Sequence, residues 1–133
     1  MRILYVNDLY YGGGAEEIFR SLAECFERRG HQVFTATAAR TDIANHRRID
    51  CVSGDIPSLL LRRSIWVNND LLAYRSLEKI INEVKPDMVH CHNLYHVSLA
   101  PLIIAQQNNI PCVLTVHDYW PICTKRSLLG PDG

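Results

Sequence analysis

The chain has 133 residues, of which 47% are hydrophobic and 21% are charged, and this composition is that of an ordinary soluble globular domain. Fourteen basic and fourteen acidic residues cancel, so no net field favours nucleic acid or an anionic membrane as a partner. No stretch approaches the roughly 18 apolar residues of a membrane-spanning helix, and the amino terminus turns polar too soon for a secretory signal. Five scattered cysteines without paired spacing indicate reduced thiols. We therefore expect one cytoplasmic domain that does not bind nucleic acid.

The first third of the chain predicts a βαβ unit. The apolar run at residues 3–6 is typical of a strand covered on both faces. Apolar residues then recur at helical spacing through 15–29, and Gly30 supplies a left-handed stop. A second apolar run at 33–37 predicts the next strand, so the crossover should be right-handed.

Strands and helices continue to alternate in the remainder of the chain. The predicted elements are a short strand at 49–52, a helix at 69–84, a strand at 87–91, a helix at 97–107 and a strand at 112–116. This alternation predicts an α/β fold, a Rossmann-like three-layer sandwich with a mostly parallel sheet and the first strand near its centre.

Polar clusters follow three of the predicted strands, at 7–14, 90–96 and 117–120. Open parallel sheets bind ligands beyond the carboxyl ends of their strands, so these clusters predict one crevice. Within the first cluster, Gly12, Gly13 and Gly14 join strand to helix, where glycine permits positive φ and lets backbone N–H groups approach a phosphate. A plain strand-to-helix turn is the alternative.

The known nucleotide-binding motifs are incomplete. Glu17 occupies the place of the third glycine in the dinucleotide fingerprint, and no acidic residue closes the second strand to hold a ribose. The Gly-Lys-Ser or Gly-Lys-Thr of a phosphate-binding loop is absent. A nicotinamide-dependent oxidoreductase is therefore disfavoured, and it stays open as an alternative.

The histidines of the second cluster resemble a metal site. His90 and His92 project from the same face of a strand, and His96 is close enough in sequence to return toward them. Their spacing gives no closed tetrahedral set, and no carboxylate is near in sequence to orient them. We therefore predict that no metal is bound, and that His92 and Asn93 line the crevice rim.

The third cluster begins where the last predicted strand ends. His117 is presented there by a rigid element, and its ring suits a sugar hydroxyl or a phosphate. A hydrogen bond to a neighbouring loop is an equally open role. Tyr119 either stacks on a sugar ring or covers the end of the sheet.

Residues 59–66 mix leucines with two arginines and a tryptophan. Such a run favours either peripheral contact with a membrane interface or a partly buried helix with a solvated edge. If the first interpretation holds, the protein would lie at the inner face of the membrane.

Three segments together resemble a known family. Gly12-Gly13-Gly14-Ala15-Glu16 is followed by Gly30-His31-Gln32-Val33, then by 85–93, which reads KPDMVHCHN, and by 110–118, which reads IPCVLTVHD. In this order they resemble the first domain of retaining glycosyltransferases of GT-B architecture, the large GT4 group. The resemblance extends from Met1 to about Cys123 and is weakest across 40–66.

The resemblance implies that residues 1–133 form the acceptor-side half of a two-domain enzyme. A second Rossmann-like domain, which carries the family's E-x7-E motif, would hold most of a nucleotide-sugar, and the first domain alone would be inactive. His117 would be the catalytic residue near the transferring sugar, and Gly12, Gly13 and Gly14 would approach the donor diphosphate. The residues assigned to the acceptor or sugar are Asn7, Tyr11, His92, Asn93, Asp118 and Tyr119. No metal or other cofactor is implied, and the expected role is in cell-wall or polysaccharide biosynthesis. A non-catalytic binding module on the same half-fold is a further alternative.

Overall fold

A computed structural model describes residues 1–39, 41–51, 70–119 and 121–122. Within these ranges the strands are β1 (Arg2–Asn7), β2 (Gln32–Thr37), β3 (His46–Arg48), β4 (Met88–Cys91) and β5 (Cys112–Leu114). The helices in the same ranges are α1 (Gly14–Arg28), α2 (Leu71–Val84) and α3 (Ala100–Gln107). The predicted segment 59–66 lies outside the described residues.

The strands form one parallel sheet in the order β3-β2-β1-β4-β5. The predicted Rossmann-like α/β fold, with β1 at the centre, is confirmed. After β3 the chain crosses to the other side of β1, so the strand order reverses between β1 and β4. Ligand crevices of open α/β sheets form at this reversal, beyond the carboxyl ends of the strands.

Strand β1 is apolar because both of its faces are covered. Leu4 and Val6 lie in a core with residues of α2 and α3, whereas Ile3 and Tyr5 pack against α1 on the opposite face. All four side chains are buried. Strand β1 is thus buried on both faces. Because it is the middle strand of the sheet, its carboxyl end lies at the middle of the sheet edge.

The helix boundaries follow local signals. Gly30, with φ of 85°, ends α1 as predicted. The side chain of Asp70 caps the start of α2 by accepting hydrogen bonds from the amides of Leu72 and Ala73. Lys85 ends α2 in the left-handed region, directly before Pro86. In the described ranges, no helix has both the length and the apolar character needed to cross a membrane.

The predicted position of the third strand, 49–52, is wrong. Strand β3 is His46–Arg48, which pairs with Thr35 to Thr37 of β2. Ile49 is buried just after the strand, and its amide donates to the Thr37 carbonyl at 2.7 Å. The polar sequence of β3 is tolerated because it is a short edge strand with residues partly open to solvent. The apolar residues that led to the prediction therefore include Ile49, which is buried after the strand, and not the residues of the strand itself.

Candidate functional site

Hydrogen bonds join the loops that follow β1 and β4. The Asn7 side-chain oxygen accepts from the amide of Asn93 at 2.9 Å. The Asp8 carboxylate accepts from the amides of Tyr95 at 3.0 Å and His96 at 2.8 Å. The two loops that were expected to meet at the crevice are thus tied together at the point where the strand order reverses.

Asn7 makes several of the hydrogen bonds that join these loops. Its side chain is fully buried, and its Nδ2 donates to the Leu9 carbonyl at 2.8 Å and to Glu16 Oε1 at 3.4 Å. Together with the bond from Asn93, its amide group is engaged on both its donor and its acceptor side. Because the side chain is fully buried, a contact between Asn7 and a sugar would require the surrounding loops to move.

Glu16 organises the glycine turn from inside the protein. Its carboxylate is buried at 8% exposure and accepts from the Gly13 amide at 2.7 Å. A Cβ on Gly12 would lie 2.9 Å from Glu16 Oε2, so a side chain there would force this carboxylate to shift. The three glycines of the turn do not use the positive φ that glycine permits, because Gly30 is the one glycine with positive φ among the described residues.

This geometry predicts different effects for alanine at Gly12 and alanine at Gly14. We expect Gly12→Ala to lower the free energy of unfolding by about 1 kcal/mol, because the added methyl displaces Glu16 from its hydrogen bond. The matched control is Gly14→Ala, since a Cβ at Gly14 meets no atom within 4 Å and the residue opens α1. It should leave stability unchanged or raise it by up to about 1 kcal/mol, because alanine is the better helix former. Urea unfolding of both variants checks this, and equal losses would contradict the account.

Three histidine rings lie close together at the ends of β4 and β5. The ring centroids of His90 and His92 are 4.5 Å apart, and those of His92 and His117 are 5.1 Å apart with the planes 15° from parallel. His90 Nε2 lies 2.8 Å from Thr115 Oγ1, and His92 Nδ1 lies 2.8 Å from His117 Nε2. The prediction that His90 and His92 share one face of the strand is confirmed.

His92 lies beneath His117 and not on the crevice rim where we expected it. Its side chain is fully buried, with the Phe19 ring perpendicular to it at 5.6 Å. Burial, with smaller contributions from the neighbouring His90 and His117, lowers the pKa of His92 to about 3. Burial, with a smaller contribution from His117, also lowers the pKa of His90. His92 is therefore a neutral hydrogen-bonding partner near pH 7.

His96 has a carboxylate neighbour that its sequence context did not indicate. Asp8 Oδ2 lies 3.5 Å from His96 Nδ1, although 88 positions separate the two residues. The expectation that no carboxylate is near these histidines was wrong, because β1 and β4 are adjacent in the sheet. Among residues 1–39, 41–51, 70–119 and 121–122, no group of three or more histidines, cysteines and carboxylates is arranged to hold a metal.

Two loops at the carboxyl end of the sheet carry exposed aromatic rings. Tyr11, in the loop after β1, is 61% exposed, and Arg20 lies over its ring at 5.1 Å. Tyr119, after β5, is 49% exposed. Asn93 and Asp118 are half-buried. The loops at the carboxyl end of the sheet therefore carry both polar groups and exposed aromatic rings.

The model of glycosyltransferase family 4 matches residues 12–132. The chain belongs to this family. A relative from Klebsiella pneumoniae, an uncharacterized 42.6 kDa protein in the cps region, is 30% identical over 142 residues. The match covers 92% of this chain and 38% of the relative, so the chain spans less than half of the relative's length.

Proposed function

We propose that this family 4 domain is the acceptor-binding half of a retaining glycosyltransferase. The enzyme transfers a sugar from a nucleotide-sugar to a glycan, a lipid-linked acceptor or a small molecule. The observation that carries the proposal is the meeting of the loops after β1, β4 and β5, with His117 bonded to His92 at their centre. Family membership supplies the reaction class, and this arrangement supplies one wall of a cleft.

In this proposal His117 is the catalytic residue and contacts the transferring sugar or its phosphate. Tyr11 and Tyr119 offer exposed rings to the acceptor, and the half-buried Asn93 and Asp118 supply polar groups. His92 contributes through its bond to His117. The aromatic faces hold the flat side of a sugar ring, while the polar groups fix its rotation.

The glycine turn approaches the diphosphate without holding it. Glu16 already occupies the Gly13 amide, so this amide is not left for an anion. Arg20 donates to the Tyr10 carbonyl and pairs with Glu17. A buried carboxylate beside the turn and an engaged arginine disfavour a tightly bound diphosphate. We therefore assign most donor binding, and the charge stabilisation of the leaving group, to a second domain, with no metal required.

We propose that the reaction belongs to cell-wall or polysaccharide assembly, on the cytoplasmic side of the membrane. The location of the Klebsiella relative in a cps region supports this assignment. Contact of the segment 59–66 with the membrane surface stays a prediction, because the structure does not describe those residues.

Transfer assays on two lengths of protein test the proposal. One protein comprises residues 1–133, and the other continues through a second α/β domain to about the length of the relative. Release of nucleoside diphosphate from a panel of nucleotide-sugars is measured with lipid-linked and oligosaccharide acceptors. We expect turnover by the longer protein and none above background by residues 1–133, because positioning and electrostatics from both walls supply most of the rate. Robust transfer by residues 1–133 would refute the division between the domains. Hydride transfer with a nicotinamide cofactor, or saccharide binding without turnover by the longer protein, would favour the two alternatives instead.

A further inference from the structure

His92 has one ring nitrogen with a partner and one without. Nδ1 lies 2.8 Å from His117 Nε2, while Nε2 is buried and has no hydrogen-bond partner among the described residues. The side chain is fully buried. Phe19, whose ring is perpendicular at 5.6 Å, offers no acceptor atom, and an N–H directed at an aromatic face is a weak substitute for a hydrogen bond.

The bond between the two rings has two neutral arrangements. If His117 Nε2–H donates, His92 must carry its own proton on Nε2, where a buried N–H would find no acceptor. If His92 Nδ1–H donates, His92 Nε2 is a bare lone pair and His117 carries its proton on Nδ1. Among buried backbone groups a donor without a partner is rarer than an acceptor without one, and we apply the same preference to the ring nitrogen. The second arrangement is therefore favoured.

We propose that His92 is a positioning residue that fixes the proton of neutral His117 on Nδ1, so that His117 presents an N–H donor to the ligand. The hydrogen bond holds His117 nearly in the plane of His92, since the two ring planes lie 15° from parallel. His90 and Thr115 are also 25 residues apart and hydrogen-bonded, and each lies two residues before its counterpart in the pair His92 and His117. Two such contacts hold the segment after β5 against β4.

The consequence for chemistry rests on the proposed function. With Nε2 engaged by His92, neutral His117 has no free ring lone pair and does not act as a general base. It donates to an oxygen of the ligand, either a sugar hydroxyl or a phosphate oxygen. A donor fixed in advance of binding stabilises charge that develops on that oxygen without a cost of reorientation.

Histidine-selective ¹⁵N NMR of the protein at about pH 7.5 tests the tautomers directly. We expect the proton of His117 on Nδ1 and that of His92 also on Nδ1. A His117 signal with its proton on Nε2 in the wild-type protein would overturn the proposal, with no variant needed. This spectrum requires no substrate, so it tests the role of His92 separately from the enzymatic function.

Two variants at one position extend the test. His92→Asn keeps an amide donor close to the place of Nδ1, whereas His92→Leu removes the donor at similar volume. We expect His117 to keep its proton on Nδ1 in the first variant and to move it to Nε2 in the second. In the active longer protein, His92→Leu should lower kcat about tenfold or more, because the tautomer of the catalytic ring is wrong. His92→Asn should restore most of that loss. Equal kcat losses with an unchanged His117 tautomer in both variants would show a merely structural role.

Discussion

His117→Ala is expected to lower kcat about 100-fold in the protein that carries the complete cleft, with a much smaller rise in KM. Removing one preorganised donor aimed at a transition-state oxygen typically costs about 10²- to 10³-fold in kcat. An interaction made mainly in the transition state affects kcat, whereas one made equally with bound substrate affects KM. Steady-state kinetics with a nucleotide-sugar and its acceptor measure both constants.

The matched control for this variant is His31→Ala. His31 lies at the start of β2, at the amino-terminal edge of the sheet and away from the crevice. Its removal should leave kcat within about twofold of wild type, because distant surface changes have small effects. Wild-type kcat in the His117→Ala variant would remove His117 from the mechanism.

The protein is expected to lose stability steeply as the pH falls below about 6.5. Burial lowers the pKa of His92 to about 3, and it lowers the pKa values of His90 and His46 as well. Below the ordinary histidine value near 6.5, the unfolded chain binds protons that these rings do not bind in the folded protein. The free energy of unfolding should therefore fall with decreasing pH, for His92 through the window from about 6.5 to about 3. Each such histidine contributes a slope of up to about 1.4 kcal/mol per pH unit.

Urea unfolding between about pH 7.5 and pH 5 measures this slope before most carboxylates titrate. In His92→Leu the slope should decrease by close to one proton, since the variant has no buried ring to protonate on unfolding. The control is His31→Gln, because His31 is a half-buried histidine away from His90, His92 and His117. This variant should keep most of the wild-type slope. An unchanged slope in His92→Leu would mean that His92 is not held neutral by the fold.

Most of the fold was predictable because burial leaves a strong mark in sequence. Strand β1 is apolar on both faces and α1 on one stripe, and both were placed within one or two residues. Strand β3 was misplaced because an edge strand need not be apolar. Cys112 opens the predicted strand at 112–116 and is exposed, because β5 lies at the edge of the described sheet. Edges are set by which strands have neighbours, and local composition does not encode that.

The site was predictable in location and less so in its internal bonds. The carboxyl ends of parallel strands meet at one edge, so the crevice followed from topology alone. The contacts of Asp8 with the amides of Tyr95 and His96 depend on the adjacency of β1 and β4. The bond between His92 and His117 depends on the register of β4 with β5. Sequence spacing fixed the shared face of His90 and His92, but cross-strand register could not be read from either segment by itself.

A crystal structure of the longer protein with a hydrolysis-resistant nucleotide-sugar tests the central claim most directly. The account predicts that the sugar and diphosphate lie beyond the carboxyl ends of β1, β4 and β5. It also predicts that His117 Nδ1 lies within about 3.2 Å of a sugar or phosphate oxygen. A donor bound at the opposite edge of the sheet, or one bound in the crevice with His117 out of reach, would contradict the account.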